Sequence, residues 1–426
     1  MVASTILSRK IIKPFSPTPP SRRRHNLSFM DYVSPPEYAP IAAFYSKPTS
    51  YNISQTSNIL ENALSKVLDS YYPFAGTIVD NKYVDCNDIG VEYLTVRINC
   101  PMSEILNHPY NNATDVVFPQ DLTWSRSVNG YLLVVQLSHF DCGGIAISVC
   151  IWHKIADGYS LCKFLDDWAA TSRDADFKPS LRFDASSFFP LIDDLPVLPN
   201  VTLEPHRCVS RMYHFSSSSL TILKDIIATG SGVVHNPTRV EVATTLVHKC
   251  VVETSLANSK GVFKPSLLCH VMNLRPPLPL NTIGNACCHF SSVATTEDDI
   301  KLHNFGAQLH IAKQQLRDEL KVMSTDELTA HALEKVKRGV EKLEKNTFDI
   351  YSCSSLCNFG LHKTDFGWGR PIRVTLASNR VKNNFYFFDD PNGDGINALI
   401  TLREDDMLML QSNKEFLEFV SPINLM

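Results

Sequence analysis

The chain has 426 residues, 44% apolar and 20% charged; this is the balance of a soluble globule and too much chain for one ordinary core, so two domains are expected. Forty lysines and arginines against 44 acids give a formal charge of −4, which excludes a global field for holding nucleic acid or an anionic membrane and leaves any anionic ligand to local groups. No run approaches the roughly 20 apolar residues that span a bilayer, and no membrane segment is expected.

The first thirty residues hold six Lys or Arg and no acid, which imitates a transit peptide. Ser8–Phe15 nevertheless reads as a short strand, and the prolines of Ser16-Pro17-Thr18-Pro19 break any import helix. Twelve cysteines at irregular spacings, several inside apolar runs such as Cys150 and Cys162, together with no apolar signal segment, imply reduced, mostly buried thiols and a cytoplasmic location. The sequons at Asn26, Asn52, Asn112 and Asn200 are then expected to stay unmodified.

Ile59, Leu60, Leu64, Val67, Leu68 and Tyr71 recur at helical spacing and predict one buried face, ended by Tyr72-Pro73-Phe74-Ala75-Gly76. Tyr131 to Trp152 reads as two apolar runs around Phe140-Asp141-Cys142-Gly143-Gly144, a hairpin. After Gly158 the period turns helical again, with Leu161, Phe164, Leu165 and Trp168 on one stripe. Residues 172–210, rich in proline, are the candidate linker, dividing a domain of residues 1–205 from one of 206–426. Thr238–Thr254 and the charged stretch from about His303 to Lys345 predict helices, while Leu267–Leu274, Arg373–Ala377, Asn384–Asp389 and Asn397–Leu402 predict strands. Mixed elements in both halves imply two α/β domains.

The segment Trp152-His153-Lys154-Ile155-Ala156-Asp157-Gly158 lies where strand gives way to helix, a place where α/β folds present reactive groups. Ile145, Ile147, Val149, Ile151 and His153 fall on one face, so the imidazole emerges at the lip of a buried surface. Spacing alone leaves His153 open between a general base and a satisfied lip histidine. It favours Asp157 as the N-cap of the following helix over a catalytic acid. No G-x-S-x-G elbow supplies a nucleophile. Asp390-Pro391-Asn392-Gly393-Asp394-Gly395 has the letters of a calcium loop, but Thr401 stands at the twelfth position, and a hairpin turn is the better reading. Cys353-x-x-x-Cys357 has no second ligand pair, and no metal is expected.

His153-x-x-x-Asp157-Gly158, Tyr72-Pro73-Phe74-Ala75-Gly76 and Asp365-Phe366-Gly367-Trp368-Gly369, in this order, resemble the plant BAHD acyl-CoA-dependent acyltransferases, as do Asn273-Leu274-Arg275, Gly284-Asn285 and the Ser-Pro-Thr-Pro opening. The resemblance implies two chloramphenicol-acetyltransferase-like α/β domains, each a mixed sheet with helices, meeting along a channel with the histidine midway. Residues of about 366–382 are then expected to pack with the first domain. It implies His153 as general base, with Asp157 structural and paired with Arg275. Asp365 and Gly367 are shaping residues near the site, and Trp368 is a candidate oxyanion donor. Thr238, Arg239, Gly284 and Asn285 are the implied contacts to the coenzyme A phosphates. Arg275 runs directly into Pro276-Pro277-Leu278-Pro279, a shorter loop than many relatives carry, which changes the surroundings of those contacts.

The co-substrate is then acyl-CoA, with no permanently bound cofactor, and the acceptor a small hydroxylated molecule met by a monomeric protein. Val84-Asp85-Cys86-Asn87-Asp88 and Phe140-Asp141-Cys142-Gly143-Gly144 resemble the clade of acylsugar acyltransferases, capsaicin synthase and vinorine synthase. That implies aliphatic acyl transfer to sucrose or a partly acylated sucrose. An alkaloid O-acetyltransferase, an amide-forming enzyme and a catalytically silent binding protein on the same scaffold are the alternatives.

Overall fold

The computed structural model describes residues 2–48, 52–126, 130–192, 207–259, 261–345 and 347–423. Two large mixed sheets organise them. The first has six strands in the order Ser4–Ile12, Val91–Ile98, Leu133–Phe140, Ile145–Trp152, Tyr38–Tyr45 and Arg373–Leu376. The second has seven: Cys287–Ala294, Ser266–Asn273, Asp349–Ser355, Asn384–Asp389, Ile396–Arg403, Cys208–Phe215 and Val420–Pro422. Each is packed by helices into its own apolar core.

The hairpin forms as its sequence dictates. Leu133–Phe140 and Ile145–Trp152 pair antiparallel, and Gly143 at the turn takes φ +82°, a conformation that costs glycine little. Every residue of Ile145–Trp152 is buried, so both faces of this central strand are covered. The next helix, Gly158–Arg173, starts where the Asp157 side chain accepts the Ser160 N–H at 2.8 Å. Leu161, Phe164, Leu165 and Trp168 are buried as their spacing predicts, and the Trp168 indole N–H donates to the Leu60 carbonyl at 3.1 Å, docking this helix on Ile53–Leu68. On that earlier helix Leu60, Leu64, Val67 and Leu68 face inward, but Ile59 is 40% exposed. Ile59 lies one position off the inward stripe, and a helix turns about 100° per residue. Gly76 closes the Tyr72–Ala75 turn because a Cβ there would meet the Asp85 carbonyl oxygen at 2.5 Å.

The two halves exchange segments. Arg373–Leu376, late in the chain, completes the first sheet against Tyr38–Tyr45, whereas Phe29 and Met30, early in the chain, are buried in the second core. The stretch expected as linker packs against both halves. The helix runs on to Arg173, Arg182 N–H donates to the Asn281 carbonyl at 2.9 Å and its carbonyl accepts from Ile283 at 2.8 Å, and Phe189 is buried in the second core. This stretch is strapped to both halves through residue 192; the division expected at 205/206 lies outside the described residues. Asp390–Gly395 joins two antiparallel strands as a hairpin. Among the described residues no helix is long and apolar enough to cross a membrane.

Candidate active site

The chain leaves the strand at Trp152 and makes one short turn, His153–Ile155, before the helix. His153 therefore opens a turn and does not extend the strand, which swings its side chain out of the first sheet toward the second. Its backbone is fixed at both ends: the N–H donates to the Glu37 carbonyl at 2.9 Å, and the carbonyl accepts from Asn285 Nδ2 at 2.7 Å. Nδ1 of the half-buried imidazole is buried without a hydrogen-bond partner, which leaves Nε2 as the nitrogen open to a reactant.

Two titratable groups flank it, and the sequence reading missed both. Glu37 comes from the segment entering Tyr38–Tyr45. Burial raises its pKa, while His153 and Arg126, whose Nε lies 3.7 Å from the carboxylate, pull it back down. His289 comes from the facing sheet; the protein around it, with the nearby His153, lowers its pKa. The catalytic candidate thus has a carboxyl from the first half and an imidazole from the second as neighbours. Nothing in the local pattern of Pro35-Pro36-Glu37 marks that carboxyl, because its neighbour lies more than a hundred residues away in the chain.

Behind the histidine lies a buried polar lattice. Arg275 Nη1 donates to Asp157 Oδ2 at 2.8 Å, and both residues are at most 5% exposed. The guanidinium also reaches the Thr282 carbonyl at 2.8 Å, the Gly284 carbonyl at 3.0 Å and Asn273 Oδ1 at 2.9 Å. Burial alone would raise the Asp157 pKa; the Arg275 charge and the N–H bonds from Ala286 and Ser160 outweigh it and hold the carboxyl ionised. Three donors, Ser160 N–H, Arg275 Nη1 and Ala286 N–H, occupy the Asp157 carboxylate in the interior.

Asn285, fully buried, spends its amide donors on Asp31 Oδ1 at 2.9 Å and the His153 carbonyl. Asp31 in turn takes the Asn285 N–H at 2.7 Å and caps Ser28 in a reciprocal box. The Ser28-x-x-Asp31 spacing was the available signal for this clamp. Gly284, at φ +127°, turns its carbonyl into the lattice. This pair is therefore placed behind His153, with no side-chain donor of Asn285 left for a phosphate.

The remaining candidates lie elsewhere. Trp368 packs on Tyr45, ring centroids 6.2 Å apart, and Tyr45 ends the strand that Tyr38 begins beside Trp152. Seven residues of strand separate the two ends by about 23 Å, so the oxyanion role expected of Trp368 is corrected. Asp365 Oδ1 accepts from Gly367 and Gly369 N–H at 2.7 and 2.9 Å, and its carbonyl takes the Arg173 guanidinium. This turn pins the crossover segment to the first half.

Thr238 caps the helix Arg239–Asn258 by accepting the Glu241 N–H. Arg239 is tied by Nη2 to Asp389 Oδ1 at 3.1 Å and by Nη1 to the Asp394 carbonyl at 2.7 Å, so a phosphate there competes with Asp389. Asp389 also lines a cavity of about 480 Å³ with His214, His362 and Arg373, at the Tyr45 end of the first sheet, since Arg373 pairs with Phe44. Among the described residues Cys250, Glu253 and Glu415 converge as metal ligands do, but Lys249 is bonded to both carboxylates, which accounts for their grouping without an ion.

Two mixed sheets, with a histidine on the turn that leaves a strand of the first and its neighbours Glu37 and His289 drawn one from each half, define a two-domain acyltransferase of the coenzyme A-dependent type. The structure of vinorine synthase superposes over 99% of both chains with a TM-score of 0.84 at 29% identity. A Fusarium sporotrichioides TRI101 structure complexed with coenzyme A and T-2 shares the fold, with a TM-score of 0.68 at 17% identity, over 94% of this chain and 99% of that one. The model of the transferase family matches residues 2–417. Acylsugar acyltransferase 3 of Solanum lycopersicum is 58% identical over 99% of both chains, and acyltransferase Pun1 of Capsicum frutescens 39% identical over 98% of both. The chain belongs to this transferase family, the BAHD acyl-CoA-dependent acyltransferases.

Proposed function

We propose that the protein transfers an aliphatic acyl group from acyl-CoA to a hydroxyl of sucrose or a partly acylated sucrose, with His153 as the general base. The observation that carries the acceptor assignment is the 58% identity, over nearly the whole length, to an acylsugar acyltransferase. The more distant likeness to Pun1 and to alkaloid-acylating enzymes keeps the same chemistry with other acceptors as the alternative.

In this reading the acceptor oxygen attacks the thioester carbonyl while Nε2 of His153 takes its proton. The tetrahedral intermediate then expels the thiolate, which receives that proton as the C–S bond breaks. Base catalysis of this kind contributes typically about 10²–10⁴ in rate, and the rest comes from holding both reactants in attack geometry. Asn285 and the Glu37 carbonyl keep the histidine backbone in place, and the Asp157–Arg275 lattice keeps the turn. Coenzyme A phosphates are assigned to the cavity rim near Thr238 and Arg239, where the guanidinium exchanges Asp389 for phosphate. The protein is read as a cytoplasmic monomer holding no permanent cofactor; its twelve cysteines, none paired in a disulfide, suit a reducing compartment.

Incubating the purified protein with aliphatic acyl-CoAs and sucrose, an alkaloid or an amine, and following thiol release and ester formation, decides the acceptor. His153→Ala is expected to retain its fold by circular dichroism and to lose at least about a hundredfold in turnover. A folded variant keeping more than about a tenth of the rate removes the base assignment.

A further inference from the structure

The chemistry above leaves unused a constellation beside His153. Glu37 is joined to His153 through the backbone, and its carboxylate is 3.7 Å from Arg126 Nε. Next to Arg126, Trp124 is locked to the same segment by paired backbone bonds, Trp124 N–H to the Tyr38 carbonyl at 3.1 Å and Tyr38 N–H to the Ser125 carbonyl at 3.0 Å. The Trp124 indole lies along the Tyr386 ring, centroids 6.1 Å apart and planes at 27°, and its N–H donates to the Ala377 carbonyl at 3.3 Å. Tyr386 accepts from Asn379 at 3.3 Å. Trp124 also sits at φ +55°, a conformation that a bulky residue adopts only where its surroundings impose it, and such residues gather at binding sites.

A carboxylate and a guanidinium beside an aromatic face form a donor set suited to a polyhydroxylated ring. The aromatic surface takes the ring's C–H edge, the carboxylate accepts from hydroxyls, and the guanidinium fork donates to them. A flat alkaloid or a simple amine offers this pair no row of hydroxyls, and a site built to bond a hydroxyl discriminates strongly against a ligand that lacks it.

We propose that Glu37 and Arg126 bind hydroxyls of the acceptor next to the one that His153 deprotonates, with the Trp124–Tyr386 pair as the floor for the ring, and that this set selects a sugar. The inference rests on the sugar-acceptor reading and names the residues that carry it. Because Glu37 is tied to the backbone of His153, a ring held there delivers its free hydroxyl to Nε2.

The test compares wild type with Glu37→Gln and Arg126→Met, using one acyl-CoA and sucrose, then deoxysucroses lacking single hydroxyls. Glu37→Gln is expected to lower kcat/KM for sucrose by about tenfold to a hundredfold, as losing a charge-assisted hydrogen bond does, while KM for the acyl-CoA stays within about twofold. At least one deoxysucrose should be a poor substrate for wild type yet lose nothing further in Glu37→Gln, a coupling that general destabilisation does not produce. Should Glu37→Gln fold poorly, Arg126→Met with the same deoxysucroses supplies the same coupling. Wild type active on sucrose with no such coupling in either variant overturns this inference and leaves the acceptor reading standing. Wild type that acylates only alkaloids or amines overturns both.

Discussion

At the scale of single residues, Asp157 shows why a carboxylate four positions from the histidine proposed as base need not be catalytic. It caps a helix, accepts the Ala286 N–H at 2.9 Å and faces Arg275 in the interior. Removing one partner of such a pair strands a buried charge and costs about 3–5 kcal/mol, whereas replacing both by well-packed neutral groups costs far less. Asp157→Asn and Arg275→Ala are therefore expected to unfold at markedly lower denaturant concentration, and Asp157→Asn with Arg275→Met to be milder than the sum of its single changes. Denaturant midpoints for the four proteins measure this; strictly additive losses would show that the two charges do not depend on each other. The sign with pH follows from the same bonds. A carboxyl held ionised in the fold contributes stability above its unfolded pKa and loses that contribution as pH falls through the folded value.

At the scale of elements, the helix Arg239–Asn258 is buried around much of its circumference, so it carries groups that no amphipathic face would admit. His248 stacks on Phe305 at 4.0 Å and bonds Ser266 through Nε2 at 3.1 Å, and burial lowers its pKa to about 3. Between that value and about 6.5 the unfolded chain binds a proton the folded chain refuses, so stability falls as pH drops below about 6.5, by about 1.4 kcal/mol per pH unit. His270, lowered to about 4 by burial, acts in the same direction. His248→Gln is expected to be less stable than wild type at pH 7 but to lose about 2 kcal/mol less between pH 6.5 and pH 5; equal losses over that interval, measured by urea unfolding, would refute the assignment. Helix and cap were legible in Thr238–Thr254 and in Asp157-Gly158 because both signals are local. The strands Val91–Ile98, Cys208–Phe215 and Asp349–Ser355 were not, since their partners are distant in the chain and Asp349–Ser355 alternates with polar residues. For the same reason His153 was readable as a candidate while Glu37 and His289, brought to it only by sheet assembly, were not.

At the scale of the whole molecule, exchanged segments bind the two sheets into one frame, with His153 at the Tyr38 end of the first sheet and the cavity lined by Asp389 and Arg373 toward the Tyr45 end. A thioester, being already activated, needs no enzyme nucleophile. The thiols agree with direct transfer. Cys150 is completely buried, and burial drives its pKa far upward, so it offers no thiolate. Cys142 is exposed, but it lies in the hairpin turn at the Ile145 end, a strand's length of about 24 Å from Trp152. Ser160, in the first turn of the following helix, is buried, and its hydroxyl donates to the Gly284 carbonyl at 2.9 Å. Transfer is therefore expected to pass directly from coenzyme A to the acceptor. Initial rates with both substrates varied should give intersecting double-reciprocal lines, and intact mass after incubation with acyl-CoA alone should remain that of the free chain. Parallel lines together with a one-acyl adduct that disappears when sucrose is added would replace the ternary complex with an acyl-enzyme.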